Sequence, residues 1–352
     1  MRTRHALALV LAFGAFGAQA QSLSFTQIST AFPTPIGIDY HEPTNSVVMS
    51  VNYSSGGPFN FTRVNLNGSQ TQFSNISGLT DEVKIATVRS GNVGFAAGTL
   101  FTGNGLDGQI VRIAPDGNSL NNPWVTLAPG SGLMRGSLYV DRSGVFGGDL
   151  IAATTGGEVW RVNSAGVATR LADVDQHLEG VMTVPNDPLR YGGLAGKILA
   201  GSEGTGRLYV FDGTVGQSSF YQLSVAIEDI DLIAANENFF GVNFGTQKLL
   251  GVAASQFAPY VGDILLTQEF PSGGSGLHRL AWNFATNLPV TQQFSVAAGS
   301  AAVGQWEHVT FAPAGIREIP PVVPGIPEPE TYALMLLGLG AIGAAARRRG
   351  AR

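Results

Sequence analysis

Asn60-Phe61-Thr62-Arg63-Val64, Gln109-Ile110-Val111-Arg112-Ile113 and Glu158-Val159-Trp160-Arg161-Val162 are three versions of one segment, their arginines 49 residues apart twice running. Arg207-Leu208-Tyr209-Val210-Phe211 continues the series at the same spacing, with Val210 in the arginine place. Each run alternates in character and is rich in β-branched and aromatic residues, as a half-buried strand requires. A turn glycine follows each copy, in Asn67-Gly68, Asp116-Gly117, Ala165-Gly166 and Asp212-Gly213. Asn-Gly and Asp-Gly suit the positive φ angles of a two-residue hairpin turn.

Strand-like runs flank every copy. After the turns come Gln70–Phe73, Trp124–Leu127, Ala168–Leu171 and Phe220–Leu223. Before the repeated strands lie Val47–Val51, Val93–Ala97, Asp149–Ala153 and Lys197–Ala200, preceded in turn by Ile36–Tyr40, Val83–Val88, Ser137–Val140 and Val181–Val184. Four short strands per period define the blade of an all-β propeller, and the span 23–315 accommodates about six. With 47 glycines and 18 prolines the chain is equipped for many tight turns. From Glu228 to Phe311 the strand-like runs do not divide into fours, so an insertion or an incomplete blade is expected there. Leu23–Ile28 is expected to supply the outer strand that closes the ring against the last blade. A Gly103-x-Gly105-x-x-Gly108 run sits between two strands with no helix to receive a phosphate, and reads as a loop.

Both ends carry addresses rather than core. Arg2, Arg4 and His5 precede the apolar run 6–18, and Ala18-Gln19-Ala20 offers signal peptidase a small-x-small site with Gln21 as the mature start. At the other end Pro327-Glu328-Pro329 leads into the apolar run Tyr332–Ala346 and then Arg347-Arg348-Arg349. That run forms a helix of roughly 22 Å, marginal for spanning a bilayer. Arginines that follow it would stay cytoplasmic and leave the rest of the chain on the far side. The arrangement resembles the PEP-CTERM sorting signal of Gram-negative bacteria. The resemblance implies export, recognition by an exosortase, removal of the tail, and association with the cell surface or the extracellular polysaccharide matrix. The expected organisation is a signal peptide at 1–20, a propeller at 21–315, a linker at 316–326 stiffened by Pro320, Pro321 and Pro324, and the sorting signal with its membrane helix at 327–352.

Setting aside the six arginines of the two ends, Glu328 and Glu330 leaves 14 basic and 23 acidic residues, a net charge near −9. Such a body does not bind nucleic acid or anionic lipid through charge. There is no cysteine, so disulfides and thiolate metal sites are excluded.

Candidate chemistry lies at the starts of the first, innermost strands. Glu82, Glu179, Glu228, Asp229 and Glu307 all occupy such places, and Asp39 stands near one. In a propeller those starts meet at one mouth of the central channel. A ring of carboxylates needs a proton, water or cation to relieve repulsion, and oxygen ligands favour Ca²⁺ or Mg²⁺. This placement resembles six-bladed propellers of the gluconolactonase and regucalcin kind, which carry a metal in the channel; the resemblance is architectural and maps no individual residue. His177 with Glu179 and His308 with Glu307 are candidate acid–base pairs. Trp124, Trp160, Trp282 and Trp306, at strand positions, are expected to fill the gaps between blades. No catalytic constellation stands out. The sequence therefore points to an exported, exosortase-processed binding or structural propeller without enzymatic activity. The alternative is a Ca- or Mg-dependent, lactonase-like hydrolase working in the channel.

Overall fold

The burial of each strand reports its place in a blade. In the computed structural model, which describes residues 22–65, 68–269 and 275–313, inner strands such as Ile38–His41, Ser137–Val140 and Glu179–Thr183 are buried at every position. Outer strands such as Gln70–Gln72 and Ser219–Gln222 are mostly exposed. Six four-stranded antiparallel sheets are arranged as blades, and their inner strands neighbour one another in turn around the channel. The segments expected to be the signal peptide, the linker and the sorting helix lie outside the described residues. Among the described residues no helix is long and apolar enough to cross a membrane.

Alternation builds the core. In the third blade Ile151, Ala153 and Val159 pack with the fourth, while Leu150, Ala152, Trp160 and Val162 pack with the second. Successive side chains of one strand thus serve opposite faces of the blade, which is the period-two rule of a strand. The four repeated segments are the third strands of the first four blades, at Phe61–Val64, Gln109–Ile113, Glu158–Val162 and Arg207–Phe211. Trp306 is fully buried and Trp160 nearly so, both within inter-blade cores, as the strand pattern anticipates.

Two local expectations are corrected. The second strand of the second blade is Leu100–Gly103, not Val93–Ala97. Asn92 Oδ1 accepts the amides of Gly94 and Phe95, and Gly91 and Gly98 take positive φ, so the earlier run is tied into turns. At Asp116-Gly117, in the second blade, the hairpin turn is not a two-residue one. The Ala114 amide bonds to the Ser119 carbonyl and the Gly117 amide to the Ala114 carbonyl, so a four-residue loop uses one left-handed glycine, Gly117 at φ 77°.

The irregular region resolves into an exchange between blades. The fifth blade pairs Ile227–Leu232 with Ile264–Gln268, followed by Gly276–Asn283 and Leu288–Gln293. Between its first two strands the chain leaves as a hairpin, Glu237–Asn243 and Lys248–Val252, which forms the middle of the sixth blade. That blade is completed by Trp306–Pro313 on the channel side and by Thr26–Gln27 outside. Three distant parts of the chain therefore close the ring, and the N-terminal segment is the outer strand as expected. Ser22–Leu23 adds a short parallel pairing with Ser295–Val296, a separate two-stranded sheet just past the last strand of the fifth blade.

Candidate acidic funnel at the channel mouth

Inner and second strands run antiparallel, so the start of one and the end of the other lie at the same mouth. Glu179 opens its inner strand, while Glu228 and Glu307 are second in theirs. Glu203 and Glu269 directly follow the second strands Ile198–Ser202 and Ile264–Gln268. With Glu82 these residues line one cavity of about 440 Å³. Four of the five carboxylates singled out from sequence are thereby brought together. Glu203 and Glu269 were not singled out; the signal available was their place one residue beyond strands antiparallel to the inner ones.

Asp229 is separated from the other four. The pairing register shifts at Glu228, and Asp229 turns to the next layer of the channel, where it accepts the amides of Ile230 (2.9 Å) and Val309 (2.9 Å). Its Oδ2 lies 3.3 Å from His308 Nδ1. His308 thus faces Asp229 and, at 3.8 Å, Glu228 Oε1, rather than forming the expected pair with its neighbour Glu307. His177 does meet Glu179, Nε2 to Oε1 3.3 Å. Burial and Arg135 hold the imidazole below its ordinary pKa.

A buried lysine sits beneath the funnel. Lys84, 1% exposed, places Nζ 2.5 Å from Glu228 Oε1 and 3.8 Å from Glu307 Oε2. Burial alone would favour a protonated Glu228, but the Lys84 ammonium and a hydrogen bond with Glu179 hold it at about 2. Its neighbours go the other way. Burial and the Glu228 charge push Glu179 up to about 10 and Glu269 up to about 7, and raise Glu203 as well. Glu307 is raised by burial in spite of Lys84. Arg135 Nε stands 2.9 Å from Glu82 Oε2, an ion pair misaligned for a hydrogen bond.

Asp39 belongs to a different layer, among residues of four blades. It accepts the amides of Tyr40 (2.7 Å) and Thr87 (2.8 Å) and the hydroxyls of Thr87 (2.9 Å) and Thr310 (2.9 Å). Arg142 Nη2 adds contacts of 3.0 and 3.2 Å. Burial opposes ionisation of Asp39, yet Arg142, Arg89 and Thr87 keep it below the ordinary range. Asp231, in the same layer, is pushed up to about 7 by burial and by Asp229 and Asp39, against Arg142.

These directions fix a pH dependence. The folded chain holds protons on Glu179, Glu269 and Asp231 that the unfolded chain releases near pH 4. Where the folded state binds more protons, stability falls as pH rises, here from about 4 to about 7 for Glu269 and Asp231 and on to about 10 for Glu179. His41, His177 and His278, held below their ordinary pKa by burial, partly offset this, since they favour the folded state with rising pH. Thermal scans are expected to give a higher midpoint at pH 5 than at pH 8, and a midpoint that is highest at pH 8 contradicts this assignment.

The residues fit a channel metal only in part. One oxygen from each of Glu179, Glu203 and Glu228 lies within 4.8 Å of the others, which suits a hard cation. Glu228 is already committed to Lys84, so an ion bound there would face an ammonium bonded to one of its own ligands.

Residues 325–349 match the PEP-CTERM protein-sorting motif, and the chain is accordingly an exported protein processed by an exosortase. No curated protein matches the chain. Among solved structures it is similar to a gluconolactonase from Xanthomonas campestris, at 13% identity and a TM-score of 0.47, over 83% of this chain and 85% of that one. A calcium-binding protein, regucalcin, from Agrobacterium tumefaciens gives 12% and 0.47, over 79% and 80%. A protein of unknown function from Bacteroides caccae gives 12% and 0.42, over 74% and 77%. Likenesses this distant carry no argument about activity.

Proposed function

We propose that the chain is a binding module of the cell surface or extracellular matrix, carried there by its sorting signal, with the acidic funnel as its ligand site. One observation carries this reading over a metal-dependent hydrolase: the channel already contains its cation, the Lys84 ammonium held between Glu228 and Glu307. That built-in charge offsets Glu228 and Glu307 without supplying a Lewis acid or lowering the pKa of a bound water, the services for which a hydrolase employs its metal. What remains is a polar concavity of the size that takes small molecules.

The second reading, a Ca²⁺ or Mg²⁺ hydrolase, is favoured by the convergence of Glu179, Glu203 and Glu228. Metal analysis and melting of the full chain separate the two. The binding module is expected to purify without stoichiometric metal and to melt at the same temperature in calcium, magnesium or chelator. A ligand bound only to the folded state must stabilise it. One equivalent of metal with a melt that collapses on chelation overturns the first reading and justifies a screen for lactone and ester hydrolysis.

A further inference from the structure

The fixed positive charge of the funnel is unevenly shared. Lys84 serves Glu228 and Glu307, and Arg135 serves Glu82. Among the described residues Glu179, Glu203 and Glu269 have no lysine or arginine within ion-pair distance; Glu179 meets only His177 and Glu228, and Glu269 takes a hydrogen bond from Gln305. Glu179 is 4% exposed, lines the cavity, and leaves its Oε2 buried without a hydrogen-bond partner. A buried carboxyl oxygen that lines a cavity and has no partner is an acceptor placed to meet a donor on a ligand.

Taking the binding-module reading as premise, we propose that the funnel receives a ligand bearing a primary ammonium group set in a polar frame, an amino sugar or a polyamine. An alkylammonium offers three N–H donors in a tetrahedral arrangement. At N···O distances of about 2.8 Å its acceptors stand roughly 4.6 Å apart. The oxygens of Glu179, Glu203 and Glu228, all within 4.8 Å of one another, allow that spacing. One layer below, the protein displays the same recognition in its own Lys84, whose ammonium lies between Glu228, one of these carboxyls, and Glu307. A cavity of about 440 Å³ exceeds what a single ion needs, and Tyr53 and Phe244 on its wall offer apolar surface to a carbon skeleton.

Calorimetric titration of the full chain with three probes tests this: a glucosamine tetramer, its fully N-acetylated counterpart, and spermidine. Free-amine probes are expected to bind stoichiometrically, and acetylation, which removes the charge, is expected to weaken the tetramer at least tenfold. The stronger of the tetramer and spermidine identifies the source of the amine. The double variant Glu203→Gln, Glu269→Gln, at the partly exposed rim, is expected to weaken binding about tenfold while folding as the parent does. Equal binding of the free and acetylated tetramers overturns the ammonium inference but leaves the binding module standing, as does an undiminished affinity in the double variant. Failure of every probe in a protein that binds calcium overturns both. Failure of every probe without calcium binding overturns the ammonium inference alone.

Discussion

Replacing Lys84 with methionine is expected to cost about 3–5 kcal/mol of stability at pH 8, the penalty for stranding one member of a buried ion pair. In a domain of this size that lowers the melting midpoint by on the order of 10 °C. Methionine fills most of the lysine stem's volume, so the loss is electrostatic rather than a cavity. Without the ammonium at 2.5 Å, Glu228 loses what holds its carboxyl at about 2, and burial drives its pKa upward. The deficit should therefore be largest in alkali and shrink as the pH falls through the new, higher pKa and Glu228 takes up a proton. Adding Glu228→Gln to the variant should recover much of the loss, because a neutral amide needs no counter-charge. A single variant as stable as the parent at pH 8, or a double variant worse than the single, removes Lys84 from its role as the channel's resident cation.

The second large effect is expected at Asp39. Its carboxylate joins Tyr40 of the first blade, Thr87 of the second, Arg142 beyond the inner strand of the third and Thr310 of the sixth. Asp39→Ala removes acceptors from two amides, two hydroxyls and a guanidinium at once. Leaving such groups buried and unpaired costs about 3–5 kcal/mol in total once relaxation and water entry are allowed for. Asp39→Asn should be milder, since one oxygen survives, but its NH₂ must oppose Arg142, which contacts both oxygens, and with it either the Tyr40 and Thr310 donors at one oxygen or the Thr87 donors at the other. Because the Asp39 pKa is depressed in the fold, its contribution is complete above about pH 4, the unfolded value, and is lost as the pH falls through the folded one. Urea unfolding at pH 7 and pH 3 should show the gap between parent and Asp39→Asn closing in acid. A gap that widens in acid would contradict the assignment.

The 49-residue arginine frame was legible because a propeller repeats its strands at fixed spacing, and it holds through Val210. It then breaks. Arg279 sits in the third strand of the fifth blade and bonds Asp263 as Arg161 bonds Asp149 in the third blade, yet it follows Val210 by 69 residues. The excess of 20 is the inserted hairpin lent to the sixth blade. Nothing local marks that hairpin as foreign, since its strands read like any others; only pairing partners distinguish them. The site divides in the same way. Glu82, Glu179, Glu228 and Glu307 could be read because each precedes an inner strand or is its first or second residue. Lys84 as their counter-ion could not, for it lies 144 residues from Glu228 and meets it only when the ring closes. Asp229 was misplaced because a one-residue irregularity at Glu228 reverses which layer the next side chain enters.

The way the chain leaves the ring has a mechanical consequence. Trp306–Pro313 is both the innermost strand of its blade and the last one before residue 314, so tension applied from beyond Pro313 enters the molecule at its most buried strand. Its partner Glu237–Asn243 runs alongside it from Trp306 to Pro313. A pull along the strand loads these backbone bonds together, in shear, instead of one after another as peeling would. The N-terminal strand of the same blade, only Thr26–Gln27, would part under a far smaller load. Forced unfolding is governed by the unfolding rate rather than by equilibrium stability. Tethering through the C-terminal side thus grips the domain by its best-secured strand, and a protein held against flow by that end would keep its ring closed.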